Sequence, residues 1–153
     1  MDGARRADGG AGMITMRVQN LDAVNQALRQ YGAKAEQAIG QAIQATGLEV
    51  LTDIKKRIQR GPKTGRTYLR GTVSHRASAP GEAPATDTGA LVSSVAYSKV
   101  NELTAQIESR LPYATFLEFG TVNMDPRPAW TPAVEQAAPK LQQRVIRAIE
   151  GLV

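Results

Sequence analysis

The chain has 153 residues, a net charge of +5 at pH 7, one histidine (His75) and no cysteine. Disulfides, thiolate chemistry, cysteine-ligated zinc and histidine-clustered metal sites are therefore excluded, and no cofactor is expected. A chain of this length buries roughly 70% of its unfolded surface as one domain. It shows no stretch near the ~18 unbroken apolar residues of a membrane span, so no membrane partner is expected.

The positive charge is unevenly placed. Eight cations (Lys55, Lys56, Arg57, Arg60, Lys63, Arg66, Arg70 and Arg76) fall between Lys55 and Gly81, and no acid lies between Asp53 and Glu82. The rest of the chain holds eleven cations against fourteen acids. Such a block is either a solvated loop or a surface for an anionic partner.

In chain order, residues 1–12 are rich in Gly and Ala, carry charges and no apolar run, and read as a disordered extension, not a signal peptide. Met13 is an alternative start. Residues 13–19 alternate apolar and polar, as a short strand does. Residues 22–60 carry the strongest helical signal, dominated by Ala, Gln, Leu, Lys and Arg. Val24, Leu28 and Tyr31 form a first stripe, and Gly32 is expected to break or bend the path. Ile39, Ile43, Val50, Leu51, Ile54 and Ile58 form a second stripe, and Gly61-Pro62 ends the helix.

Residues 61–87 have no period and many Gly, Pro, Ser, Thr and Arg residues. They read as an extended basic arm. Asp87 is a candidate N-cap for a short helix through Ala90, Leu91, Val92 and Ser94. The alternations at Val95, Tyr97, Lys99 and at Leu103, Ala105, Ile107, Ser109 predict a β-hairpin turning at Asn101-Glu102. Pro112 opens a short helix that holds Tyr113, Phe116 and Leu117 and closes at Gly120. Asp125-Pro126-Arg127-Pro128 is a rigid linker. After Pro132 a last helix places Val134, Ala138, Leu141, Val145 and Ile149 on one face, with Pro139 as a possible kink. The expected fold is α+β: a long N-terminal helix and a C-terminal helix packed on a small antiparallel sheet, one domain over 13–153 with the 61–87 arm.

Catalytic constellations are weak. Gly61-Pro62-Lys63-Thr64-Gly65 follows a helix and lacks the upstream glycine of a phosphate loop. His75 and Asp87 resemble a base and its orienter, with Ser74, Ser78 or Thr88 as nucleophile, but all lie in an expected loop, where the precision that catalysis requires is hard to maintain. Glu118 has no partner carboxylate for glycosidase-type chemistry. It reads as a structural carboxylate that pairs with an arginine such as Arg127 or accepts backbone N–H bonds. No enzyme activity is expected. The basic segment carries the most functional content, with Lys55, Lys56, Arg60, Lys63, Arg66, Arg70 and Arg76 as candidate partner-binding residues. Tyr68 is its lone aromatic, which disfavours a base-stacking platform.

Three motifs then resemble a known family, the small minor tail or tail-completion (head–tail joining, neck) proteins of long-tailed bacteriophages. They are Ala79-Pro80-Gly81-Glu82-Ala83-Pro84-Ala85-Thr86-Asp87-Thr88-Gly89-Ala90-Leu91, Tyr113-Ala114-Thr115-Phe116-Leu117-Glu118-Phe119-Gly120-Thr121, and Arg127-Pro128-Ala129-Trp130-Thr131-Pro132-Ala133. One departure is Ala129, where the family often has a bulky apolar residue; here Trp130 supplies the bulk. Read physically, Thr88-Gly89 makes a tight turn. Leu91, Phe116, Leu117, Phe119 and Trp130 are expected core anchors, Gly120-Thr121 ends a helix, and Arg127-Pro128 sets the angle of the last one. The resemblance implies a virion protein made in the host bacterial cytoplasm. It implies a ring of six or twelve copies at the neck, between connector or stopper proteins and tail-tube or tail-terminator proteins, with genomic DNA passing through. The alternative is a nucleic-acid-binding protein that uses the basic 55–81 segment.

Overall fold

The computed structural model describes residues 21–152, so the extension at 1–12 and the strand expected at 13–19 lie outside the described residues. Eight elements follow in order: α1 (Leu21–Arg60), β1 (Thr67–Arg70), β2 (Val73–Arg76), α2 (Ala90–Ser94), β3 (Val95–Asn101), β4 (Thr104–Ser109), α3 (Tyr113–Phe119) and α4 (Trp130–Glu150). The arrangement is α+β, with the long N-terminal and C-terminal helices packed against each other. The strands form two separate antiparallel hairpins, β1–β2 and β3–β4, in place of one small sheet.

Helix α1 runs unbroken for 40 residues, about 60 Å at 1.5 Å per residue. The break expected at Gly32 does not occur. One glycine costs about 1 kcal/mol relative to Ala, and its Ala-, Gln- and Lys-rich flanks absorb that cost. The helix stops where Gly61 donates its amide to Arg57 O at 3.0 Å and Pro62 supplies no further donor.

The core forms where Val50, Ile54 and Ile58 of α1 meet Leu91 and Val92 of α2, Val95 of β3, Ala114 of α3, and Ala129, Ala133 and Ala137 from the start of α4. Ile54 and Ile58 are fully buried, so truncating either to Ala costs about 2–5 kcal/mol. On α4 the buried face differs from the expected one. Ala133 and Ala137 point inward, whereas Val134 is 53% exposed. Small side chains let α4 approach α1 closely, and alanines carry too little apolar bulk to dominate a sequence pattern. Helix α4 continues through Pro139. Arg144 clamps the two helices by donating to Thr46 Oγ1 at 2.9 Å and pairing with Glu49.

The β3–β4 hairpin forms as its alternation predicts, with Val95 opposite Ser109 and Tyr97 opposite Ile107. It lies along α1, and two glycines make room for it. A Cβ on Gly40 would sit 2.6 Å from Glu102 O, and one on Gly47 would sit 2.7 Å from the Tyr97 ring. The 61–87 segment is less irregular than its composition suggests. Residues 67–76 form a hairpin, with Thr67 opposite Arg76 and Tyr68 opposite His75. Its signal was a two-residue turn beginning with Gly71, at φ +63°, between β-forming Thr67-Tyr68 and Val73. The dense arginines masked it.

Candidate interaction surface

The arm is anchored at its base by local hydrogen bonds. Gly65 donates to Ala77 O and Ala77 to Arg66 O, both at 3.0 Å. A Cβ on Gly65 would sit 2.6 Å from Ser78 O, so only glycine permits this approach. Glu82 staples both sides of the base. It accepts the Thr64 amide at 2.9 Å, the Ala79 amide at 2.8 Å and the Thr64 hydroxyl. The Thr64 hydroxyl, then these two amides, pull the Glu82 carboxyl down from 4.5 to about 2. Lys63 points inward, donating to Ala83 O at 2.9 Å and Arg57 O at 3.3 Å. Burial lowers its ammonium, and Glu82 opposes that shift.

Above the base, one carboxylate holds the hairpin to the body. Asp87 pairs with Arg70, and His75 Nε2 lies 3.3 Å from Asp87 Oδ1. The Tyr68 ring stacks on His75 at 5.9 Å between centroids. Tyr68, Arg70 and His75 thus share the face of the hairpin that looks at the body. Tyr68 and Arg70 line a cleft of about 470 Å³ together with Gly89, Leu91, Tyr113, Leu117 and Arg127. Asp87 is therefore not the helix cap it was expected to be. The position before α2 is Gly89, at φ +78°, with no side-chain capping bond; Thr88 Oγ1 accepts the Ala90 amide only at 3.4 Å. The clasp also takes His75 away from Ser74, which projects from the opposite face of the hairpin.

The three sequence motifs meet beside this cleft. Glu118 of α3 accepts the amides of Ala129 and Trp130 through Oε2 at 2.8 and 3.1 Å, and that of Thr131 through Oε1. It thereby satisfies the orphan donors at the start of α4. Burial raises the Glu118 carboxyl, but these bonds outweigh it and hold the group below its ordinary range. Pro132 lies within the first turn of α4, where a missing N–H costs nothing. Arg127 bonds Ser78 O through Nε at 3.2 Å, and its amide donates to Leu117 O at 2.7 Å. Gly81 donates to Pro126 O at 2.9 Å. Gly120, at φ +77°, closes α3, and Thr121 pairs with Met124 in the turn that leads to Pro126, Arg127 and Pro128.

Leu91 is a core anchor as expected, and Leu117 and Trp130 pack against the core. Phe116 and Phe119 are not. They are 55% and 72% exposed, next to Tyr113 at 43% and Val122 at 102%. Helix α3 turns Ala114 and Glu118 inward, and seven residues make too short a helix to bury both faces. The chain has two phenylalanines, and both face outward.

The basic residues do not act as one group. Lys63 is structural, Arg70 holds Asp87, and Arg57 pairs with Asp53 at 2.8 Å. Arg66 and Arg76 are exposed on the arm, and Arg76 reaches Gly65 O at 3.4 Å. Lys56 and Arg60 are exposed near the end of α1, and Lys55 is half-buried there.

The surface thus combines an anchored cationic arm, a cleft beneath it and an exposed aromatic helix, which suits it to holding other chains. Residues 22–120 match the family described as "Bacteriophage HK97-gp10, putative tail-component". The chain belongs to this HK97-gp10-like family of phage tail components and is by that membership a tail-related structural protein of the virion. The match runs from α1 to the end of α3; it takes in the first motif and all but the last residue of the second, and stops before the third. No curated protein and no solved structure gave a match.

Proposed function

We propose that this chain is a non-enzymatic subunit of a ring at the phage head–tail neck, a tail-completion component that joins the connector to the tail tube. The carrying observation is the outward aromatic face of α3, with Phe116 and Phe119 more than half exposed. Exposed apolar clusters of this kind mark protein–protein contacts. Ring subunits associate through heterologous, head-to-tail contacts that close on rotation, and six or twelve copies fit the family resemblance. Neighbouring connector or stopper and tail-tube or tail-terminator proteins supply the remaining contacts. Arg66 and Arg76, exposed and without a carboxylate partner among the described residues, suit an acidic rim.

Electron microscopy of particles made without this gene tests the reading. Filled heads and separate tails that fail to join are expected; intact, joined particles would sink it. Neutralising Arg66 and Arg76 should block joining and leave the isolated protein's melting temperature unchanged. Arg70 is omitted because it holds Asp87.

A second reading has the basic segment hold DNA phosphates. The acid-free run from Ile54 to Gly81 favours it. Binding of duplex DNA by the isolated protein, weakening steeply with added salt, would support this reading; no binding at low salt would remove it.

A further inference from the structure

We propose that the outer face of the arm hairpin docks on the α3 face of a second copy of this chain, so that each subunit gives an arm to one neighbour and receives an arm from the other. The inference rests on the ring reading and names the contact that would close the ring.

Two surfaces of the same chain carry it. On the hairpin, Leu69 is 74% exposed. Pairing puts Leu69 opposite Ser74 and Thr67 opposite Arg76, so these four share the face turned away from the body. The other face is occupied by the Asp87 clasp and the Tyr68–His75 stack. The hairpin is two-stranded, and such a hairpin is marginal alone in water. Its outer face has an apolar centre at Leu69 and a cation, Arg76, at its root.

Helix α3 presents the complementary pattern. Phe119 borders a cleft of about 250 Å³ that also includes Ile107, Glu108, Thr115 and Trp130. Phe116 and Val122 extend the apolar patch. Glu108 lies in that cleft and Asp125 follows in the next turn, and neither pairs with a cation among the described residues. An apolar centre with an acidic rim thus faces outward on α3, and an apolar centre with a cationic root faces outward on the arm. The chain's own arm lies over Tyr113 and Leu117 at the other cleft, which leaves Phe119 open to an arm from elsewhere. Opposite rims steer such a contact and fix its register.

Mixing two variants of the full chain tests the contact. Leu69→Ser damages the arm and leaves the receptor intact; Phe119→Ser does the reverse. Both positions are exposed, so the fold is unaffected. Wild-type protein is expected to self-associate with rising concentration in sedimentation velocity. Each variant alone should associate at least tenfold more weakly. An equimolar mixture should form a heterodimer that grows no further, because one junction per pair is intact. Wild-type protein that stays monomeric, a variant that assembles like wild type, or a mixture without heterodimer would each overturn the proposal. Joined particles after gene deletion would overturn the neck reading alone, so the two failures are distinguishable.

Discussion

Glu118 Oε2, on α3, accepts the backbone amide of Ala129, the residue that opens α4, at 2.8 Å. With the Trp130 and Thr131 amides on the same carboxylate, one side chain joins a short surface helix to the helix that covers the core. Replacing it with alanine leaves buried donors unmade, at about 1–3 kcal/mol for such a group. Glu118→Ala should therefore unfold at distinctly lower denaturant, and Glu118→Gln, which keeps one acceptor oxygen, should lose less. The folded carboxyl titrates below its ordinary 4.5. Its contribution is thus complete above that value and fades as pH falls through the folded one. Wild type should lose stability on acidification faster than Glu118→Gln. An alanine variant that melts with wild type would refute this role.

Glu82 works by the same sign in the arm. Its carboxyl is held at about 2, against an ordinary 4.5, by the Thr64 hydroxyl and the Ala79 and Thr64 amides. The staple should be intact above pH 4.5 and should release between there and about 2. Amide exchange at Thr64 and Ala79, followed by NMR against pH, reads this directly. Glu82→Gln should show fast exchange at these amides already at neutral pH.

Two glycines in one helix should respond oppositely to alanine. At Gly32 a Cβ meets nothing within 4 Å, so Gly32→Ala should stabilise by the helix-propensity difference, about 0.5–1 kcal/mol. At Gly40 it meets Glu102 O at 2.6 Å, a backbone atom that cannot swing away. Gly40→Ala should destabilise by about 1–3 kcal/mol as the β3–β4 tip is displaced. Urea midpoints of both variants check the contrast, and equal shifts would contradict the packing described.

Tyr97 Oη is buried and has no hydrogen-bond partner among the described residues. A buried unmade hydroxyl costs about 1–3 kcal/mol. Tyr97→Phe should keep the ring that lies against Gly47 and raise stability by about 1 kcal/mol. A lower melting temperature for this variant would mean that the hydroxyl is bonded.

Much of the architecture was legible along the chain. The Ala- and Gln-rich run of α1, its Gly61-Pro62 stop and the alternation of β3 and β4 are local signals, and local hydrogen bonding is enough to realise them. The three motifs were legible as a family resemblance, but their positions were not. Phe116 and Phe119 look like core residues by composition; burial depends on which side of a two-turn helix meets the body, and here Ala114 and Glu118 take it. Gly40 and Gly47 lie inside the helical run, and only the fold shows that the β3–β4 hairpin packs against them. Asp87 looked like a cap because Asp before an apolar run usually is one, yet a hairpin seventeen residues upstream claims it through Arg70.

The sequence by itself determined the long helix with its Gly61-Pro62 stop, the β3–β4 alternation, the absence of thiol chemistry and the concentration of charge in one arm, because those follow from residue type and near-neighbour spacing. Only the tertiary structure decided which cations are spent internally, as Lys63 and Arg70 are, and which remain outside, as Arg66 and Arg76 do. It alone also set Glu118 under the start of α4 and left two phenylalanines facing outward. Those outcomes depend on contacts between residues far apart in the chain, whose geometry exists only once the elements have packed.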